Sequence, residues 1–112
     1  MPPVPASGNL FQLPDPLPAA EAFTALFETP RLRVERILST GQTTPPDEWY
    51  DQSQDEWVVL LQGSATLTYE DGASLAMGPG DYVLIPAHRR HRVDFTSSDP
   101  PCIWLAIHSF TE

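Results

Sequence analysis

The sequence has no lysine, a single cysteine, and six basic residues against 15 acidic ones in 112 positions. Each shortage removes a class of function. Without lysine there is no Schiff-base amine and no phosphate-binding P-loop lysine. One thiol, Cys102, cannot form an intrachain disulfide or a multi-cysteine zinc site. A formal net charge of −9 lacks the basic footprint that nucleic acid demands, so no nucleic-acid partner is expected. No apolar run approaches the roughly 20 residues of a membrane helix, and Met1-Pro2-Pro3-Val4-Pro5 has neither region of a signal peptide. The expectation is a cytoplasmic protein with no membrane partner.

What is present suits one domain. The length is near the common domain size, and 41% hydrophobic residues can fill a core without disulfides. Thirteen prolines, most of them before position 47, disfavour long helices there. We divide the chain into residues 1–30, an N-terminal arm and short helix packing on the domain, and residues 31–112, the domain itself. The arm, residues 1–18, carries the apolar anchors Leu10 and Phe11. The helix is expected over residues 19–28, where Pro18 suits a first turn and Phe23, Leu26 and Phe27 follow i, i+3, i+4 spacing.

Beyond Pro30 the pattern is that of strands. Short apolar or alternating runs occupy residues 32–38, 56–62, 65–70, 73–77, 82–85, 91–95 and 102–110. Asp71-Gly72 is a hairpin signal, and Gly63-Ser64 and Gly78-Pro79-Gly80-Asp81 are turns. Short strands at about ten-residue spacing imply an all-β sandwich or small barrel, which can hold one small ligand.

Three places could carry chemistry. Residues 47–56, DEWYDQSQDE, hold five acids and no base. A solvated acidic loop is the plain explanation, but Trp49 and Tyr50 lie inside it and Glu56 opens an apolar strand. A buried carboxylate is costly unless it is paired, hydrogen-bonded or metal-bound. Residues 86–92, PAHRRHR, set His88 and His91 three apart, on opposite sides of a strand, so one of them faces inward. Their arginines, Arg89, Arg90 and Arg92, could simply neutralise the acids. His108 stands late in the apolar run IWLAIHSF, where a satisfied core histidine is the plain alternative.

The spacing of these clusters resembles the cupin superfamily. Gly80, five residues, Pro86, one residue, His88, two residues and His91 match its second motif, except that His88 replaces a glycine and Phe95 an asparagine. Glu56, six residues and Gly63 match the second half of the first motif. Three-residue spacing back from Glu56 places Gln52 and Tyr50 at its two histidine positions; four-residue spacing places Asp51 and Trp49 there. The stretches WYDQ and DEWVVLLQG are similar to those of small stand-alone cupins. The resemblance covers about residues 32–110. It implies a small antiparallel β-barrel or double-sheet jelly roll.

The resemblance also implies a site for a divalent ion, Zn²⁺, Mn²⁺, Fe²⁺ or Ni²⁺, held here by Gln52, Glu56 and His91, with Tyr50, Asp51 or His88 nearby. Such an oxygen-rich set would be weaker than three histidines and a glutamate. Two metal-free readings stand beside it. One is an enzyme resembling sugar epimerases, with His91 or His108 as base and Tyr50 or Tyr69 as acid, and Glu56 as a further candidate base. The other is a ligand-binding or accessory module. A small-molecule ligand is expected in each binding reading. Small cupins also suggest a homodimer.

Overall fold

The structure is a computed structural model and describes residues 7–110. The first six residues of the expected arm and the last two of the domain lie outside the described residues. Eight strands follow in order: β1 Ala22–Thr29, β2 Leu32–Ser39, β3 Asp55–Gln62, β4 Ala65–Tyr69, β5 Ser74–Met77, β6 Tyr82–Ile85, β7 His91–Thr96 and β8 Cys102–Ser109. They form a five-stranded sheet, β1-β2-β8-β3-β6, and a three-stranded sheet, β5-β4-β7. Every pairing is antiparallel. The arrangement is that of a double-sheet jelly roll; among the described residues no ladder joins the two sheets into a closed barrel.

The expected helix over residues 19–28 is not there. Strand β1 occupies that place, paired along the edge of β2 from Ala22↔Leu38 to Thr29↔Leu32. A bulge between Ala25 and Phe27 absorbs Leu26, so the i, i+3, i+4 spacing of Phe23, Leu26 and Phe27 comes from a slipped strand. The physical reason is tertiary. A ten-residue helix is marginal alone, whereas pairing with β2 satisfies a full row of backbone groups that an edge would leave open. The preceding chain is also tied to β2: Arg36 donates to the carbonyls of Leu10 (3.3 Å) and Gln12 (2.8 Å).

Alternation decides which side chains face inward. Val58 and Leu60 of β3, Trp104 and Ala106 of β8, Ala65 and Leu67 of β4, Met77 and Ile85 form the core between the sheets. The same faces continue beyond this core into polar residues: Glu35 of β2, Glu56 of β3, His91 of β7 and His108 of β8 are all buried. The register sets Glu56 opposite His108 on one side and opposite Ile85 on the other. Trp104 is therefore a core residue. Trp57 alternates to the outer face, where it packs at 5.6 Å on Tyr82.

Turns hold the register. Gly63 has φ +94°, and a Cβ there would meet Ser97 Oγ at 2.7 Å, Cys102 Sγ at 2.9 Å and Cys102 Cα at 3.0 Å. Gly72, in the Asp71-Gly72 turn, has the same φ but open space around it. The two positions separate backbone strain from crowding. Gly72→Ala should cost about 1 kcal/mol from the left-handed conformation alone. Gly63→Ala should cost about 2–4 kcal/mol, because overpacking against the β8 backbone adds to that strain. Urea unfolding of the two variants checks this; equal losses would mean that the Gly63 contact is relaxed.

Candidate active site

A cavity of about 340 Å³ opens at the polar end of the sandwich. Its floor is apolar, from Ile37, Val58, Leu67, Ile85, Val93 and Trp104, and its polar groups come from both sheets and the loop before β3. That loop is sewn to the smaller sheet. Tyr50 and His91 exchange backbone hydrogen bonds, Tyr50 N–H to the His91 carbonyl at 2.7 Å and His91 N–H to the Tyr50 carbonyl at 3.1 Å. Thr44 and Val93 are joined similarly, with 2.9 Å bonds to and from Val93. The motif's histidine positions are thus held beside β7 and not beside β3.

Of the residues singled out in the sequence, Tyr50, Gln52, Glu56, His91 and His108 line this cavity. The Tyr50 and His91 rings stack with centroids 5.5 Å apart. His91 donates from Nδ1 to the carbonyl of Arg89 at 2.8 Å. A neutral ring so bound carries its lone pair on Nε2. His108 is differently bound. Its Nε2 lies 2.8 Å from Glu35 Oε1, and its Nδ1 lies 3.3 Å from the Gln54 amide nitrogen. Both of its nitrogens are engaged, so it holds Glu35 in place and is not a free base. Tyr69, the alternative acid, is not among the residues lining the cavity; the Arg89 guanidinium sits over it, 4.1 Å from its ring centroid.

Glu56 is the buried acid. Desolvation pushes its carboxyl above the usual carboxylate range, helped by the nearby Glu35 charge; His108, His91 and a hydrogen bond from Gln52 oppose that rise. Burial likewise raises the Tyr50 phenol, with the Glu21 and Glu56 charges adding and a Thr44 hydrogen bond opposing. At neutral pH Tyr50 is a phenol, a hydrogen-bond donor and a poor metal ligand. The amide oxygen of Gln52 is buried without a partner.

Asp51 and His88 fall outside. They pair with each other at 2.8 Å on the exposed surface. His88, which replaces the motif glycine, has φ +63°, the left-handed conformation that glycine adopts freely. Arg89, Arg90 and Arg92 pair with Asp71, Glu70 and Asp94 respectively, all outside the cavity.

These donors do not fit a resident divalent ion. Among the described residues no group of three His, Cys, Asp or Glu side chains is placed to hold one. His91 and Glu56 offer two good ligands, and Gln52 a neutral oxygen. Tyr50 keeps its proton, Asp51 and His88 point elsewhere, and His108 is committed to Glu35 and Gln54. Glu56 itself is in surroundings that favour a proton on it, the reverse of what a metal ligand needs.

Sequence reasoning missed Glu21, Phe23, Arg33 and Glu35, all of which line the cavity. One signal for Glu35 existed: it shares a face of β2 with Ile37, so that face was not purely a solvent face. Glu21 and Phe23 had none, because the helical reading hid them.

The comparisons with known proteins follow this geometry. A family model described as "Cupin domain" matches residues 35–108. A protein of Ralstonia eutropha JMP134, provisionally named a mannose-6-phosphate isomerase, is 45% identical over 96% of this chain and 100% of its own, with a TM-score of 0.88. A cupin superfamily protein of Desulfitobacterium hafniense DCB-2 is 19% identical over 93% of this chain and 100% of its own, TM-score 0.70. The polyketide cyclase RemF of Streptomyces resistomycificus is 22% identical over 81% of this chain and 66% of its own, TM-score 0.67; these two share the fold. No curated protein matches the chain. No helix among the described residues is long and apolar enough to cross a membrane.

Because burial raises the Glu56 pKa, folding favours its protonated form. The unfolded chain loses this proton near pH 4.5, so stability tied to it is complete below that pH and is lost as pH rises through the folded value. Glu56→Gln, which mimics the neutral acid, should therefore be more stable than the parent at pH 7. The gain should vanish at about pH 4. Thermal unfolding at both pH values measures it; a loss of stability at pH 7 would mean that the carboxylate form is the one the fold supports.

Proposed function

The chain belongs to the cupin domain family, and on that premise we propose that it binds a small polyhydroxylated carbonyl compound and moves a proton on it without a resident metal. The observation that carries this reading is one cavity in which a free histidine nitrogen, His91 Nε2, and a buried carboxyl that favours its proton, Glu56, face the same space. The two have opposite tasks because their surroundings push them apart. His91 takes a proton from the carbon beside the carbonyl. Glu56 gives its proton to the carbonyl oxygen. The enediol so formed is closed by the reverse transfers at the neighbouring carbon: His91 returns its proton there, and Glu56 recovers one from the adjacent hydroxyl. Substrate and product are isomers, and no co-reactant is consumed. Tyr50, a neutral phenol, stacks on His91 and holds the imidazole ring. The isomerase name given to the Ralstonia protein supports this class of reaction.

The metal and the metal-free accessory readings are separated from it by one experiment. After exhaustive chelation, the protein is incubated in D₂O with aldoses and ketoses, both with and without phosphate or amino groups, and deuterium next to the carbonyl is followed by NMR. Exchange is expected to survive chelation, and His91→Ala and Glu56→Gln to slow it by about 10²-fold or more. Exchange absent throughout the panel leaves a binding module. Exchange lost on chelation and restored by a divalent ion reinstates the metal.

We propose that the homodimer expected from the sequence would use the outer face of the five-stranded sheet. Register puts Phe27, Trp57, Tyr82, Leu84, Leu105 and Ile107 on that face, with Phe27, Tyr82 and Leu84 exposed. Its charged members, Arg36 and Asp55, are already bonded to the chain's own backbone. Two copies with a net charge of −9 each meet at least cost where charge is scarce. Sedimentation velocity should show a dimer at micromolar concentration, and Leu84→Glu a monomer with unchanged circular dichroism. A wild-type monomer removes the interface.

A further inference from the structure

We propose that the cavity selects a ligand bearing an ammonium group and rejects a phosphorylated one. This rests on the proposed function only in taking the same cavity as the binding site. Three carboxyl side chains line it, Glu21, Glu35 and Glu56, against one guanidinium, Arg33. That guanidinium is matched in charge by Glu35, with no hydrogen bond from its Nε. Its Nε lies 3.7 Å from Glu35 Oε2, and its carbon lies 5.5 Å from the centre of the Phe110 ring. The remaining arginines near the sequence motif are paired with surface acids and do not reach the cavity. A phosphate dianion entering here would meet more carboxyl groups than the one guanidinium can offset.

A second, independent feature points the same way. The aromatic residues Phe23, Tyr50 and Trp104 line the same cavity, and carboxylates beside aromatic rings are the chemistry that holds an organic ammonium. Glu21 is the group best placed to receive it. One of its oxygens accepts from Ser39 Oγ at 2.7 Å, which fixes the carboxylate and leaves the other oxygen for a ligand. Its charge also raises the Tyr50 phenol, so Glu21 acts on the cavity wall directly.

The test compares three matched probes, D-mannosamine, D-mannose and D-mannose 6-phosphate, by isothermal calorimetry on the full chain at low and high salt. Mannosamine is expected to bind at least about tenfold more tightly than mannose 6-phosphate, with the gap narrowing as salt is raised. Glu21→Gln keeps an oxygen for Ser39 but removes the charge; it should weaken mannosamine about three- to fivefold and leave mannose unchanged. Tighter binding of mannose 6-phosphate, or no detectable binding of mannosamine, overturns the inference. Mannosamine binding that depends on Glu21, with no deuterium exchange on any probe, upholds the ligand class and removes the proton-transfer reading. Deuterium exchange on mannose 6-phosphate that is indifferent to Glu21→Gln does the reverse.

Discussion

A carboxyl group between two β-sheets has few ways to be stable, and the site is organised around that constraint at Glu56. Its position is fixed by alternation: Val58 and Leu60, two and four residues on, are core, so Glu56 must point inward with them. Water is largely gone there, and removing it from a carboxylate is far more costly than removing it from a carboxylic acid. The fold supplies partial relief in the form of Gln52, His91 and His108, and leaves the carboxyl inclined to keep its proton. A structural role alone would be better served by an apolar residue, since burying an imperfectly paired acid costs stability. Its retention at the mouth of a cavity is what such a cost looks like when the group has work to do.

The second buried carboxyl, Glu35, follows a different logic. His108 gives it a full hydrogen bond at 2.8 Å, and Gln54 supports the other side of the ring. This pair is satisfied on its own terms, so it anchors β2 to β8 across the cavity wall and sets a fixed negative charge near Glu56. The two acids differ in their support: Glu35 is fixed by His108, whereas burial pushes the Glu56 carboxyl up. The loop from residue 42 to residue 52 then closes the arrangement. Its backbone bonds to β7 through Thr44 and Tyr50 bring a phenol and an imidazole face to face, although they are 41 positions apart in the chain.

Much of the fold was legible because it rests on local chemistry. Strands β2 to β8 fall where alternation and turn residues put them, and Gly63 and Gly72 take the positive φ their turns require. Strand β1 was not legible, because its type is decided by the open edge of β2, which lies beyond any local window. In the site, Tyr50, Gln52, Glu56, His91 and His108 were marked by spacing and by polar residues in apolar runs. Glu21, Arg33 and Glu35 were not marked. Their approach to Glu56 depends on sheet order, which brings β2 beside β8 and β8 beside β3, and sheet order is not written in any strand's own pattern.

The change of donors in the first motif also changes the balance of the whole pocket. A histidine in place of Tyr50 or Gln52 would offer a lone pair to an ion and could carry a positive charge toward Glu56. The residues present do neither. Tyr50 presents an O–H that burial and neighbouring acids hold in its neutral form, and Gln52 gives Glu56 a neutral hydrogen bond. Without a cation in either position, only His91, His108 and the Gln52 hydrogen bond oppose the desolvation of Glu56, and its carboxyl stays above the usual carboxylate range. Tyr50 and Gln52 thus make a poor ion site and at the same time place no imidazole beside Glu56 at either motif position.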